Sequence, residues 1–233
     1  MKKKAMVLAA GLGTRLQEFT KDRPKALVEY RGKTLLEIVL RRLIHHGFRD
    51  IIINVHHYAD QIVEFTRSKK NFGINIVFSD ETNQLLDTGG GIKNAQWFFE
   101  TDPVLIHNVD VYTDLNLDDL YNFNNDFDRL ASLAVKSRPT TRPFLMDSNG
   151  LLCGWENLST GEKIISREEK DTERIAYSCI AVLSPQFVEM LPSTKVYSLT
   201  PEILNISKTQ DIYLLPHTGA WRDMGKVESY LVE

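Results

Sequence analysis

Hydrophobic positions follow two different periods along the first half of the chain. Ala5 to Ala10 form an unbroken apolar run that ends in glycines, the pattern of a central parallel strand buried on both faces. Leu35, Leu36, Val39, Leu40, Leu43 and Ile44 then recur at helical spacing, with Thr34 placed to cap that helix and Gly47 to end it. Ile51 to Val55 predict a second strand, and a helix over 59–69 carries Ile62, Val63 and Phe65 on one side. Further strands are predicted at 74–78 and 103–107. Between them Gly89-Gly90-Gly91 predicts a turn, followed by a short amphipathic segment whose Trp97, Phe98 and Phe99 read as core. Strand and helix in alternation imply right-handed crossovers and an open parallel sheet.

The pattern changes after residue 130. Strands are predicted at 130–135 and 175–183, separated by a polar, irregular stretch over 139–174 with strand-like pieces near Phe144 and Leu151. Late strands at 212–215 and 220–223 precede a closing helix at 227–232. Without a repeat, low-complexity tract or linker, 1–233 is expected to be one domain with an insertion around 139–174.

Composition narrows the function classes. The chain is 42% apolar and 25% charged, which excludes wholesale disorder. Twenty-eight Lys and Arg against 31 Asp and Glu leave a net charge of −3, so a generally basic nucleic-acid binder is not expected. Cys153 and Cys179 form no C-x-x-C pair and read as reduced thiols of a cytoplasmic protein. Met1 to Lys4 followed by apolar residues imitates a signal peptide. The run stops after six residues, short of the ~7–15 a secretory segment needs. No stretch reaches the ~18–20 apolar residues of a membrane span, so a soluble protein without membrane contact is expected.

Ligands of open α/β sheets bind beyond the carboxyl ends of the strands. The first strand ends in Leu8-Ala9-Ala10-Gly11-Leu12-Gly13-Thr14-Arg15, small residues whose backbone can approach an anion. Arg15, Lys21, Arg23 and Lys25 make a local positive focus there, suited to a polyphosphate. The spacing matches neither G-x-x-x-x-G-K-[ST] nor G-x-G-x-x-G with a distal acid, so neither a P-loop nor a dinucleotide site is expected. The fourth strand runs into His107-Asn108-Val109-Asp110. Asp110 is the first candidate ligand for Mg²⁺, which uses one or two carboxylates plus phosphate oxygens, and Asp223 is the second. Loop-capping and N-capping carboxylates are their plainer readings.

Leu8 to Leu16 with Pro24-Lys25, then Asp87-Thr88-Gly89-Gly90-Gly91-Ile92, Asn108-x-Asp110 and Trp221-x-Asp223-x-Gly225, together resemble the sugar-1-phosphate nucleotidylyltransferases over nearly the whole chain. The nearest resemblance is to the short N-acetylmuramate-1-phosphate uridylyltransferases and the mannose- and heptose-1-phosphate guanylyltransferases. It implies a Rossmann-like nucleotide-diphospho-sugar transferase fold, a mixed, mostly parallel sheet flanked by helices. It implies NMP transfer from an NTP, UTP first and GTP next, to a sugar 1-phosphate, with Mg²⁺ at Asp110 and Asp223.

By the same resemblance Arg15 stabilises the leaving pyrophosphate and Lys25 bridges the α-phosphate and the attacking phosphate. Leu8, Ala9, Ala10 and Gly11 line the nucleoside, Gly13 and Thr14 hold phosphate, and Thr88 and Gly89 approach base or ribose. Asn108 approaches the sugar or ribose, and Glu156 and Ser178 stand on the sugar side. The partners implied are a nucleoside triphosphate and a sugar 1-phosphate, the protein being a monomer or small homo-oligomer. A C-terminal β-helix of the kind many relatives carry is not expected.

The sequence departs from the family at Val109, at Trp155-Glu156-Asn157 where many relatives have Glu-Lys-Pro, at Cys179 and at Lys226. Competing readings are nucleotidyl transfer to a non-sugar acceptor such as phosphocholine, or a nucleotide-sugar sensor of the same fold. His45-His46 and His56-His57 read as structural, and Arg138 to Arg142 as a polar patch near the sugar side.

Overall fold

The computed structural model describes residues 3–126, 128–194 and 196–230. Strands are β1 (Lys4–Leu8), β2 (Asp50–Val55), β3 (Asn75–Asp80), β4 (Val104–Asn108), β5 (Val111–Thr113), β6 (Ala131–Lys136), β7 (Phe144–Met146), β8 (Leu152–Asn157), β9 (Glu162–Ile165), β10 (Glu173–Leu183), β11 (Ile212–Pro216) and β12 (Trp221–Asp223). The helices that matter to the site are α1 (Leu35–His45), α2 (Ala59–Ser68), α3 (Asp87–Asn94), α4 (Leu117–Asn125), α5 (Pro185–Met190) and α6 (Leu199–Ile206).

Among the described residues ten strands form one mixed sheet in the order β9-β8-β7-β10-β4-β1-β2-β3, with β6 branching from β10 and β11 pairing with β6. Pairing is parallel from β4 through β1 and β2 to β3, and antiparallel from β4 to β10 and out to β9. Ala5 and Val7 enter one core with Leu36, Leu40 and Leu43 of α1, whereas Met6 and Leu8 enter the other with Ile92, Phe99 and Phe187. A strand buried on both faces must be apolar throughout, hence the uninterrupted run. Thr34 Oγ1 accepts from Glu37 N at 3.1 Å, and Gly47 follows α1 with φ 81°.

Four expectations change. Gly89, Gly90 and Gly91 lie inside α3 rather than in a turn, because of what surrounds them. A Cβ on Gly89 would lie 2.4 Å from the Tyr197 ring, and one on Gly91 2.7 Å from Glu81 Oε1. Close approach thus outweighs the poor helix propensity of glycine. Phe98 and Phe99 are buried, but Trp97 is 54% exposed. The stretch 139–174 is more regular than its polarity suggests: β7, β8 and β9 extend the main sheet antiparallel to β10. The closing helix is a single 3₁₀ turn at Val227–Tyr230, and residues 231–232 of the predicted span lie outside the described residues, as do Met1 and Lys2.

Candidate active site

The carboxyl end of β1 is tied down before it reaches the glycines. Ala9 N and Ala10 N both donate to Asn54 Oδ1, at 2.6 and 3.3 Å, at the end of β2. Asn54 Nδ2 donates to Glu81 Oε1 at 2.8 Å, and Glu81 Oε2 accepts from Leu86 N at 3.1 Å. Burial raises the Glu81 carboxyl above the ordinary range, against the lowering effect of these bonds. The first two amides after β1 are therefore spent on Asn54, and the approachable segment starts at Gly11. A Cβ on Gly11 would stand 3.4 Å from Lys25 Nζ. Gly13, at φ 67°, leaves only 3.0 Å to Lys25 Cβ and Thr20 Cγ2. Thr14 opens an exposed 3₁₀ turn, Thr14–Thr20, that carries Arg15.

The two carboxylates are brought together by backbone pairing. Asp110 follows β4, and β12 pairs antiparallel with β5 so that Asp223 sits opposite Val111. Met224 N donates to Asp110 O at 2.7 Å and Gly225 N to Asp223 Oδ1 at 2.8 Å. A Cβ on Gly225 would lie 2.9 Å from Asp110 Oδ2, from Asp223 Oδ1 and from Arg15 Nη2 alike. The three functional groups thus surround one small volume that only glycine leaves open. Lys25 Nζ reaches Asp110 Oδ2 at 2.7 Å, and Arg15 Nη1 stands 3.7 Å from Asp223 Oδ2. Among the described residues no group of three or more His, Cys, Asp and Glu could hold a metal. The carboxylate pair is the arrangement present.

Two cavities flank this cluster. One, about 300 Å³, is lined by Leu8, Ala10, Gly11, Asn108 and Thr88 together with Lys25 and Asp110. The other, about 410 Å³, is walled by Phe144, Trp155, Tyr177 and Cys179, with Arg138 and Arg142 among its polar groups. Burial pushes the Cys179 thiol up to about 12, and Asp110, Arg138, Asp223 and Lys25 are near enough to act on it as well. Cys179 therefore stands where the second cavity meets the carboxylates. Its φ is 57°, within an irregularity in the pairing of β10 with β6 between Tyr177 and Ala181.

The structure brings Arg15, Lys25, Asp110 and Asp223 together and places Leu8, Ala10, Gly11, Thr88 and Asn108 on the first cavity. Thr88 Oγ1 also accepts from Leu199 N at 2.9 Å, tying α3 to α6. Gly89 is packed beneath Tyr197, to whose carbonyl its N–H donates at 3.0 Å.

Glu156 and Ser178 sit on the other face of their strands from the second cavity. Glu156 accepts from Arg174 Nε at 2.6 Å and pairs with Lys163 at 3.0 Å; the Arg174 bond holds its carboxyl below the usual range. Ser178 is fully buried with its Oγ 2.9 Å from His217 Nε2. Strand side chains alternate, so the cavity takes Trp155, Tyr177 and Cys179 instead. His46 pairs with Asp118 at 2.8 Å, and His56 Nδ1 contacts Glu81 O at 2.6 Å.

Asn54, Glu81 and Tyr177 carry no motif of their own, while Arg138 and Trp155 stood out only as a polar patch and as a departure from the family pattern. Asn54 had one legible signal, a polar residue at the carboxyl end of a parallel strand, as Asp110 is.

A sequence model of the nucleotidyl transferase family matches residues 4–233. The chain is 47% identical over 108 residues to N-acetylmuramate alpha-1-phosphate uridylyltransferase of Caulobacter vibrioides, covering 46% of this chain and 45% of that protein. It is 28% identical over 231 residues to the protein of the same name in Neisseria meningitidis serogroup B, covering 96% and 94%. The alignment thus spans less than half of the first relative and nearly all of the second. The fold is similar to UDP-glucose pyrophosphorylase from Acinetobacter baumannii, with a TM-score of 0.80 at 18% identity, covering 99% of this chain and 91% of that one. With its family match running from β1 to the end of the chain and the motif residues converging on one site, this chain belongs to the nucleotidyl transferase family.

Proposed function

We propose that the protein transfers a nucleoside monophosphate from a nucleoside triphosphate to a sugar 1-phosphate, releasing pyrophosphate and an NDP-sugar. The observation that carries this reading is the meeting of Lys25, Asp110, Asp223 and Arg15 around Gly225, between two cavities. The uridylyltransferase names of two relatives favour UTP, with GTP next, and make N-acetylmuramate 1-phosphate the first acceptor to try.

A sugar-phosphate oxygen, already ionised at neutral pH, attacks the α-phosphorus in line as pyrophosphate departs. The new P–O bond forms as the α–β bridge breaks, so no acid or base residue is required. Catalysis then rests on positioning and charge neutralisation. Lys25 spans from Asp110 toward the α-phosphate, Arg15 faces the departing phosphates, and the loop from Gly11 to Thr14 lets its backbone approach them. Asp110 and Asp223 fit a divalent cation such as Mg²⁺, since two converging carboxylates leave further positions for phosphate oxygens. Bound there, the cation would neutralise charge at the α-phosphoryl group.

The first cavity takes the nucleoside and the second the sugar, whose ring faces suit Trp155 and Tyr177 and whose anionic substituents suit Arg138 and Arg142. The continuous sheet supports one nucleotidyltransferase domain over 1–233, its 139–174 segment forming the sugar wall. No described helix is long and apolar enough to cross a membrane, and both cysteines are free; a cytoplasmic enzyme, monomeric or a small homo-oligomer, fits these features.

Pyrophosphate release with Mg²⁺ tests the reading, crossing four ribonucleoside triphosphates and dTTP against N-acetylmuramate, N-acetylglucosamine, glucose, mannose and heptose 1-phosphates and phosphocholine. Release with one base and one sugar phosphate is expected. Silence across the panel with triphosphate still bound overturns it in favour of a sensor.

A further inference from the structure

The turn Val227–Tyr230 meets the site from behind. The Tyr230 ring stacks on Phe19, with centroids 5.1 Å apart and planes at 21°, and Phe19 belongs to the same exposed turn as Arg15. The same ring meets Tyr30 edge-on at 6.2 Å. Its hydroxyl donates to Met224 O at 3.1 Å, and Ser229 Oγ donates to Asp223 O at 2.5 Å. Arg222 Nη1 lies 3.3 Å from the Tyr30 hydroxyl and 3.4 Å from Ser229 O. Three segments therefore meet at one side chain: the turn 14–20, the short hairpin in which Glu29–Tyr30 pairs antiparallel with Lys33–Thr34, and the loop 223–225.

We infer that Tyr230 is a positioning residue that couples the Arg15 turn to the Asp223 loop, setting where the leaving-phosphate cation stands relative to the carboxylates. The inference rests on the proposed role of Asp223 as a cation ligand. Arg15 cannot hold this geometry by itself, because its side chain is 62% exposed and its contact with Asp223 is 3.7 Å long. Exposed ion pairs of that kind fix little. Leu16 anchors the first half of the turn in the core, but Gln17 interrupts the 3₁₀ geometry at φ 43°, so the second half, which carries Phe19, needs a support of its own. Phe19, 39% exposed, gives the turn a rigid handle, and the Tyr230 ring is what that handle rests on. On the opposite side the Tyr230 and Ser229 hydroxyls fix the two peptide carbonyls immediately before Gly225. One side chain thus grips both halves of the site without touching either cavity lining.

The test compares wild type with Tyr230→Phe and Tyr230→Ala by hydrogen exchange, by Mn²⁺ binding in the presence of UTP and GTP, and by pyrophosphate release. In Tyr230→Ala, faster exchange at residues 14–20 is expected, with Mn²⁺ affinity weakened about tenfold. The Mg²⁺ needed for half-maximal turnover should rise in step, and the KM for sugar 1-phosphate should stay put. Tyr230→Phe keeps the stack and should retain protection at 14–20 while losing part of the Mn²⁺ affinity. Unchanged exchange at 14–20 in Tyr230→Ala overturns the inference. A lowered Tm with unaltered cation affinity overturns it too, by making the ring a packing element alone. If wild type binds Mn²⁺ with triphosphate but turns over no acceptor, the proposed reaction fails while exchange and cation affinity still decide the coupling.

Discussion

Lys25 Nζ lies 2.7 Å from Asp110 Oδ2, in a pair whose side chains are only 15% and 10% exposed. The contact joins the loop after β1 to the end of β4, so the charge that would meet the substrate's phosphate is held against the carboxylate that would meet its cation. A pair this dry loses more when one member is removed than when both are, since the survivor is left unpaired. Lys25→Met should therefore destabilise the protein by about 2 kcal/mol, and Lys25→Met with Asp110→Asn should recover much of that. Each single change should slow turnover by about 10²–10³. Urea midpoints and pyrophosphate release on the four members of the cycle check both statements; additive stability losses would exclude the coupling.

Gly225 separates fold from function more sharply. Of the three atoms that a Cβ would meet at 2.9 Å, the exposed Arg15 tip can swing away, whereas the Asp110 carboxylate is held by Lys25 and that of Asp223 by Gly225 N. Gly225→Ala should therefore cost about 1–2 kcal/mol while lowering turnover about a hundredfold. A Tm within a few degrees of wild type beside near-absent pyrophosphate release is the expected pair of results. Full activity would mean that the carboxylates need not converge there.

The two faces of β8 can be told apart by kinetics. Trp155→Ala opens the second cavity and should raise the KM for sugar 1-phosphate about tenfold, with the KM for triphosphate unaffected. Glu156→Gln disturbs only the contacts to Arg174 and Lys163 and should leave both KM values alone. The reverse outcome would place Glu156 at the sugar after all.

These two neighbours also mark where the sequence stops being readable. The parallel strands and the position of Asp110 were legible as a local pattern, an apolar run buried on both faces and then a polar residue where it ends, whereas Lys25 and Asp223 stood out through the short motifs Pro24-Lys25 and Trp221-x-Asp223-x-Gly225. Glu156 and Ser178 read as ligand-facing because motif order places their segments on the sugar side, but it does not fix strand phase. A shift of one residue turns a side chain to the opposite face. Gly89 to Gly91 read as a turn because the atoms that demand glycine, the Tyr197 ring and Glu81, come from other segments of the chain. Asn54 is informative only once β2 is seen beside β1. Contacts made across the sheet have no signature in either partner's own neighbourhood.

Cys179 adopts φ 57°, a region where a side chain costs about 1 kcal/mol relative to glycine. Cys179→Gly relieves that strain but loses the packed side chain and frees the unfolded chain, so stability should change by under about 1 kcal/mol while the second cavity beside the carboxylates enlarges. Weaker discrimination among sugar 1-phosphates should accompany the change. Since burial holds the wild-type thiol up to about 12, alkylation of Cys179 by iodoacetamide at pH 8 should be slow in the folded protein and rapid in urea. Fast labelling under native conditions would show that the thiol is more open than its surroundings indicate.

His107 supplies a pH dependence of stability whose sign is fixed by its position in β4. It is fully enclosed, its Nε2 has no hydrogen-bond partner among the described residues, and burial lowers its pKa from 6.5 to about 4. The unfolded chain therefore binds a proton at this site between pH 6.5 and 4 that the folded chain refuses. Stability is retained above the unfolded value and lost as pH falls through the window, by an amount on the order of 3 kcal/mol. His107→Leu keeps the bulk and removes the titration, so its urea midpoint should fall less than that of wild type between pH 7 and pH 4.5. The difference between the two slopes isolates the imidazole from every carboxylate that titrates over the same range. Parallel slopes would mean that His107 is protonated in the folded state, paired with a group that the enclosed ring does not reach here.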